Sequence, residues 1–236
     1  MSTGVFRQAI FSKLKETLDA RSNPTDRYFA SAQRILNPSR NIIPGRGQTE
    51  GAARTAMFRD EAETASADVY TLTNLTAVPG VVKDLLAGLD TSKVKVAPHE
   101  KLKSLDWSDM DAQFGPAVGD DLVSVSWAYG AVAETGTLVL ASAPESPTTL
   151  NFLPDVHVVV LREEDISPNY EEVWSRLRQD AKARTTNAAA LPRTVNWITG
   201  PSRTADIEQT LLLGAHGPRK LVIVLIDDQN PEITTA

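Results

Sequence analysis

Cysteine is absent from the 236 residues of this sequence. Disulfides, thiolate nucleophiles, cysteine-bound zinc and cysteine-ligated iron–sulfur clusters are therefore excluded within this stretch of chain. There is no basic tract either, and 24 basic against 30 acidic residues give a net charge of −6, which argues against a nucleic-acid partner. No run approaches about twenty apolar residues, so no membrane span is predicted. Because the first residues also lack a secretion signal's apolar core, we expect a soluble cytoplasmic protein.

The apolar residues that are present follow the pattern of an α/β protein. Continuous β-branched runs at 156–161 and 221–226 indicate strands covered on both faces, as the strands of parallel sheets are. Further strands are predicted at 68–72, 93–97, 122–127, 137–140 and 195–199. Helices are predicted at 50–65, 81–89, 170–184 and 205–213. Because strands and helices alternate after residue 155, we predict a Rossmann-like, mostly parallel sheet with flanking helices. In such folds ligands bind at the carboxyl edge of the sheet, so we expect the binding site there.

The first 48 residues differ from the rest and are predicted to form an N-terminal helix and a loop, followed by an α/β domain at 49–236. Apolar residues recur there at helical spacing: Val5, Phe6, Ala9, Ile10, Leu14 and Leu18. This stripe would pack either on the main body or on another subunit of a homo-oligomer. The turn-rich loop at 37–48 nearly spells a dinucleotide-binding glycine motif, but its last spacing is one residue too long, so we reject that motif.

One candidate site is the ETGT turn, residues 134–137, which leads into an apolar strand. Glu134 stands between alanines and next to Gly136, a residue that permits close backbone approach or positive φ, while Thr135 and Thr137 add hydroxyls. A poorly solvated carboxylate here would suit a general acid or base, or a nucleophile. The alternative is that Glu134 accepts backbone N–H groups and only fixes the turn.

A second candidate site is the TGPS turn, residues 199–202, which we predict to connect a strand to a helix. Such a turn exposes backbone N–H groups around Gly200 that could bind a small anion. Ser202 or Thr204 could instead cap the helix, with Asp206 in its first turn. A ligand site and a well-capped helix are both consistent with these residues.

The three histidines have different settings. His216 follows the predicted helix 205–213, where it could ligate a metal, move a proton or bond the last helical carbonyls. His157 lies within a buried-looking strand and is predicted to be a satisfied core residue, and His99 is predicted to be exposed. No metal-spaced cluster or phosphate-binding loop occurs, so the sequence predicts no metal site and identifies no cofactor.

Three segments together resemble the LUD-domain family: AVAETGTLVL at 131–140, VHVVVLREED at 156–165 and TGPSRTADIEQTLLLGAHGPRKLVIVLI at 199–226. The resemblance covers about residues 60–230. It implies a fold like that of the sugar-isomerase and CoA-transferase superfamily, with a smaller additional sheet. It also implies a role in oxidising L-lactate to pyruvate together with iron–sulfur partner proteins, and the missing cysteines fit a subunit without a cluster of its own.

Three functions follow from these features. The favoured one is a non-redox component of lactate utilisation that binds a small organic anion or docks partners through residues 131–137 and 199–217. The second is an enzyme of CoA-transferase-like fold that uses Glu134 on an acyl-CoA or a phosphorylated substrate. The third is a non-catalytic adaptor. If the turns form one site, Glu134 and residues 199–206 should converge on one cleft with His216 nearby.

Overall fold

The computed structural model describes residues 3–19, 24–37, 39, 41–184, 191–204, 212–213 and 216–227. The chain divides into two compact units, residues 1–42 and 43–236. The first unit contains two helices, α1 (Thr3–Asp19) and α2 (Pro24–Leu36). The predicted first helix is confirmed, and the described apolar side chains of its stripe are exposed. The second helix was not predicted. It begins at a proline, which is suited to a first helical turn because the backbone N–H that proline lacks has no intrahelical partner there.

The second unit is built on a six-stranded sheet in which every neighbouring pair is parallel. In spatial order, with numbers assigned along the chain, its strands are β1 (Asp68–Leu72), β12 (Lys220–Ile226), β7 (Val156–Arg162), β4 (Val123–Trp127), β2 (Lys93–Val96) and β3 (Asp111–Phe114). The two runs predicted to be covered on both faces, β7 and β12, are neighbours inside the sheet and almost fully buried. Their continuous apolar sequences are required because alternate side chains point to opposite faces, each with its own core.

A smaller mixed sheet has the spatial order β8 (Ile166–Ser167), β5 (Gly130–Val132), β6 (Thr137–Ala141) and β9 (Val195–Ile198). Strand β9 pairs antiparallel with β6, so our placement of residues 195–199 in the Rossmann-like alternation was wrong. The four residues of β9 are only partly buried, as expected for the edge of a small sheet rather than the centre of a parallel one.

A two-stranded antiparallel ribbon joins β10 (Arg203–Thr204) to β11 (Leu212–Leu213). The predicted helix at 205–213 is therefore wrong at its described end, where the backbone pairs as a strand. Residues 205–211, including Asp206, lie outside the described residues. Ser202 and Thr204 consequently cannot be assigned as helix caps.

The remaining helices are α3 (Gly51–Thr64), α4 (Val78–Ala87), α5 (Glu100–Lys103) and α6 (Tyr170–Arg184). One core lies between α4, α5 and one face of the large sheet. A second lies between the other face, α3 and the small sheet, and a third between the small sheet and α6. The predicted α/β class, with a mostly parallel sheet, flanking helices and a smaller sheet, is confirmed. Among the described residues, every helix falls short of the length and apolarity needed to cross a bilayer.

Candidate functional site

The ETGT and TGPS turns are adjacent in the structure. Pairing of β6 with β9 sets Leu138 opposite Ile198, so the residues that flank this pair are brought side by side. The hydroxyl oxygens of Thr137 and Thr199 are 2.7 Å apart. Although 62 positions separate these two threonines in sequence, their hydroxyls form a hydrogen bond that joins the two turns.

Two further hydroxyls complete this cluster. Thr135 Oγ1 lies 2.7 Å from Thr137 Oγ1, and the Tyr170 hydroxyl lies 3.0 Å from both of these oxygens. Tyr170 is the first residue of α6, so the cluster connects that helix to the small sheet. Sequence reasoning missed Tyr170, because nothing in its local pattern indicates a contact with the ETGT turn.

Helix α3 positions both turns through their glycines. Gly136 has φ +60°, and a side chain there would overlap the backbone of Ala62. Gly200 has φ +69°, and a side chain there would overlap the carbonyl oxygen of Ala65, which also accepts a hydrogen bond from Arg203. Both positions therefore need glycine for its conformation and for the close approach of α3.

The Glu134 carboxylate lies on the other side of the ETGT turn. A Cβ atom on Gly47 would lie 2.7 Å from Glu134 Oε2, so the carboxylate rests against the backbone of the 45–48 segment. Asn169 Nδ2 donates to Gly47 O at 2.8 Å, and Asn169 Oδ1 accepts from Glu172 N at 3.0 Å in the first turn of α6. Glu134 is thus held beside the start of α6, not beside a helix that follows Ser202.

A cavity of about 240 Å³ lies under the TGPS turn. Its polar lining is supplied by Asn151, His157, Thr199, Ser202 and His216, and Gly200 and Gly217 contribute backbone. Its apolar walls comprise Phe152, Trp197, Ile198, Pro201, Pro218 and Leu221. Glu134, Thr135, Gly136 and Thr137 are outside this lining, so Thr199 is the link between the cavity and the ETGT turn.

The cavity lies at the amino-terminal end of the large sheet. Ser202 N donates to Pro218 O at 2.8 Å, just before β12 begins, and the lining residue His157 is the second residue of β7. Our expectation that the TGPS turn lies at the carboxyl edge of this sheet was therefore wrong. It followed from placing β9 in the parallel sheet, whereas β9 belongs to the small one.

His157 is fully buried but has a partner on only one ring nitrogen. Its Nε2 is 3.0 Å from Ser126 Oγ, whose hydroxyl is directed at Asn151 Oδ1 at 3.5 Å. Its Nδ1 has no hydrogen-bond partner among the described residues. Burial lowers the pKa of His157 to about 3, so the ring is neutral near pH 7. The prediction of burial was correct, but that of a satisfied core residue was not.

The other two histidines have distinct surroundings. His216 is exposed at the cavity, and its backbone N–H is 3.4 Å from Ser202 Oγ. His99 is half-buried rather than exposed: its ring stacks on Trp127 with centroids 5.0 Å apart, and burial lowers its pKa. No group of three or more His, Asp or Glu residues in the described parts of the chain is arranged to hold a metal ion.

Comparison with known proteins gives a consistent picture. The family described as the LUD domain matches residues 55–226. "Uncharacterized protein NMB1437" of Neisseria meningitidis is 43% identical over 101 residues, which cover 43% of this chain and 40% of that protein. "Lactate utilization protein C" of Geobacillus thermodenitrificans is 30% identical over 135 residues, which cover 57% of this chain and 52% of that protein. The chain thus spans about half the length of these relatives.

A solved structure supports the fold. The crystal structure of a DUF162 family protein from Deinococcus radiodurans superimposes with a TM-score of 0.59 at 20% identity. The superposition covers 76% of this chain and 99% of that one. At this identity the likeness applies to the fold alone.

Proposed function

Because this chain belongs to the LUD domain family, we propose that it is a non-redox component of lactate utilisation that supports the oxidation of L-lactate to pyruvate. Relatives from Geobacillus thermodenitrificans and Bacillus subtilis, 30% and 32% identical, are named lactate utilization protein C. The observation that carries the proposal is that the segments 131–140 and 199–226 both fall within the matched range and meet at Thr137 and Thr199.

The electrons of the oxidation are assigned to partner proteins. Removing two hydrogens from L-lactate releases two electrons and two protons. These 236 residues have no cysteine to hold an iron–sulfur cluster, so we assign the electrons to iron–sulfur partners and the protons to solvent. This chain would bind a small organic anion or position its partners.

We propose that the TGPS turn contacts the ligand and that the ETGT turn positions the TGPS turn. Gly200, Ser202 and His216 border the cavity and are proposed to contact the ligand. Thr135 and Thr137 are proposed to hold the TGPS turn in place through the hydroxyl cluster, and Gly136 through its close approach to the backbone of Ala62. Thr204 and Asp206 follow this turn directly in sequence and stay part of the proposed site.

Growth on L-lactate as sole carbon source tests this role. A strain that lacks the chain should fail to grow on L-lactate yet grow normally on pyruvate, which lies beyond the oxidation. Complementation with the wild-type gene should restore growth, and affinity purification of the tagged protein should recover proteins with iron–sulfur absorption. Normal growth of the deletion strain on L-lactate would exclude the proposed role.

The second candidate, nucleophilic attack by Glu134 on an acyl-CoA or a phosphorylated substrate, stays a hypothesis. The contact of its carboxylate with Gly47 instead supports a holding role for Glu134 on the 45–48 segment. A non-catalytic adaptor would make every cavity substitution neutral for growth on L-lactate. The Ser202→Ala variant therefore separates the adaptor from the ligand-binding component.

A further inference from the structure

The carboxyl ends of strands β2 and β4 lie at the edge of the large sheet that the TGPS turn does not reach. After β2 the chain goes to the neighbouring strand β3 on one side, and after β4 it goes through the small sheet to β7 on the other side. The connections therefore change direction between β2 and β4. In open parallel sheets, ligands bind in the crevice outside the carboxyl ends of such a pair of strands.

The structure has an open crevice of about 700 Å³ at this place, within the usual size range of ligand pockets. Its lining comes from residues of the segment 98–104, which follows β2, and from Glu145. Two of the lining side chains contact Trp127, the last residue of β4. The His99 ring stacks on Trp127 with centroids 5.0 Å apart, and Lys101 Nζ lies 4.8 Å from the centroid of the Trp127 ring.

The ammonium group of Lys101 has no counter-ion among the described residues. Its described contact is with the face of Trp127, and it forms no ion pair with a described carboxylate. Lys101 is also partly buried, whereas the other lysine of the crevice, Lys103, is exposed. Because solvent screens a partly buried charge less than an exposed one, Lys101 is the lining cation that gains more from a bound anion.

His99 adds a neutral hydrogen-bonding group beside this cation. Burial lowers the pKa of His99, and the charge of Lys101 lowers it further. The carboxylates of Glu145 and Glu100 oppose this effect only in part, so the ring is neutral near pH 7. Its Nδ1 is buried without a partner among the described residues, which leaves Nε2 as the nitrogen that a solute can reach. A proton on Nδ1 would be a buried donor without an acceptor, so we expect the proton on Nε2, where it can be donated.

The carboxylates around Lys101 limit the charge of a ligand. Glu100 and Glu145 line the same crevice, and Asp165, which follows β7, also experiences the charge of Lys101. These carboxylates would repel the second negative charge of a phosphate monoester. A ligand with a single negative charge avoids most of this repulsion and still supplies the counter-ion that Lys101 lacks.

We infer that the crevice at the carboxyl ends of β2 and β4 binds an organic monocarboxylate, whose carboxylate pairs with Lys101 Nζ beside the His99 ring. This crevice shares no described lining residue with the cavity under the TGPS turn, so it is a second anion site. The site is independent of the proposed role in lactate utilisation, because it includes no residue of the ETGT or TGPS turn.

NMR of the histidine rings tests this site, because the chain has only three histidines. The signals of His99 are assigned by their loss in His99→Gln. Titration with sodium propionate at pH 7, with sodium chloride keeping the ionic strength constant, should shift these signals saturably. Bound propionate should also raise the pKa of His99, since it offsets the charge of Lys101. Inorganic phosphate, which carries up to two charges near pH 7, should bind more weakly than propionate.

A matched pair of variants separates Lys101 from general electrostatics. Lys101→Met keeps an unbranched side chain against Trp127 but removes the charge, so propionate should bind about tenfold more weakly or worse, the effect of one hydrogen bond to a charged group. Without ligand, this variant should have a higher His99 pKa than the wild type. Lys103→Met removes the same charge from the same crevice at an exposed position and should bind propionate nearly as the wild type does. Lys101→Gln replaces Lys101→Met if the latter does not fold.

Three results would overturn the inference: His99 signals that propionate does not move, undiminished binding in Lys101→Met, or equal losses in the two lysine variants. Tighter binding of phosphate than of propionate would reject a monocarboxylate as the ligand. None of these results would alter the growth test of the deletion strain. Conversely, normal growth of that strain on L-lactate would leave the His99 titration unchanged, so the two proposals fail separately.

Discussion

Acidification should destabilise this protein through the buried ring of His157. The folded state holds the ring neutral because burial lowers its pKa to about 3, whereas the unfolded chain protonates near the ordinary value of 6.5. The unfolded state therefore binds more protons below that value, and stability falls as pH falls. The contribution is complete above pH 6.5 and is lost progressively down to pH 3.

The size of the effect follows from the same two values. Between pH 7 and pH 5, His157 should remove about 2 kcal/mol from the free energy of unfolding, since one pH unit corresponds to about 1.4 kcal/mol for one proton. Any folded-state pKa below about 4 gives nearly the same figure. For a domain of marginal stability this is a large fraction of the total.

Urea unfolding at pH 7, 6 and 5, followed by the fluorescence of the four tryptophans, measures the loss. The His157→Phe variant has no group to titrate at this position, so it should lose about 2 kcal/mol less than the wild type over the same interval. The comparison uses the change with pH, so a lower absolute stability of the variant does not matter; His157→Gln serves if the phenylalanine is not accommodated. Equal losses in wild type and variant would show that the ring is already protonated, or accessible, in the folded state.

Three substitutions test the turns. Gly136→Ala should lower the free energy of unfolding by at least about 1–2 kcal/mol, because the alanine would be strained in the left-handed conformation and would overlap the backbone of Ala62. Gly119→Ala is the control: a side chain there meets open space, so the variant should be nearly neutral in the same urea titration. Thr137→Val should lower the free energy of unfolding by about 1–2 kcal/mol, because it breaks the hydroxyl cluster. Thr149→Val is the control and should be neutral or stabilising, since Thr149 Oγ1 has no partner among the described residues. Equal costs for the two variants would contradict the cluster's role. Glu134→Gln should leave growth on L-lactate intact, and loss of growth with unchanged unfolding would instead favour Glu134 as a nucleophile.

The large sheet was predictable at the strands whose burial on both faces requires an uninterrupted apolar sequence. Strands β7 and β12 have continuous apolar runs because both of their faces are covered. The stretch 91–118 gave less information, since β3 is a short, largely exposed edge strand of mixed residues. Strands β5 and β8 contain only three and two residues, too few to show any alternation.

The site was predictable only in part, because local pattern does not state which sheet a strand joins. The ETGT and TGPS turns were identified from their own residues, and their glycines have the positive φ that such turns need. The sheet edge was wrong because β9 pairs with β6 rather than with a parallel strand. Asn169 and Gly47 contact each other across 122 positions, a separation that no local spacing rule reaches.

The C-terminal end of helix α3 fixes the positions of the two turns relative to each other. The backbone contacts of Gly136 and Gly200 fall at Ala62, in the last turn of α3, and at Ala65, the residue that follows the helix. One residue inserted between these alanines would rotate the second contact by about 100° and move the turns out of register. The number of residues from Ala62 to Ala65 is therefore fixed by the two turns that contact them.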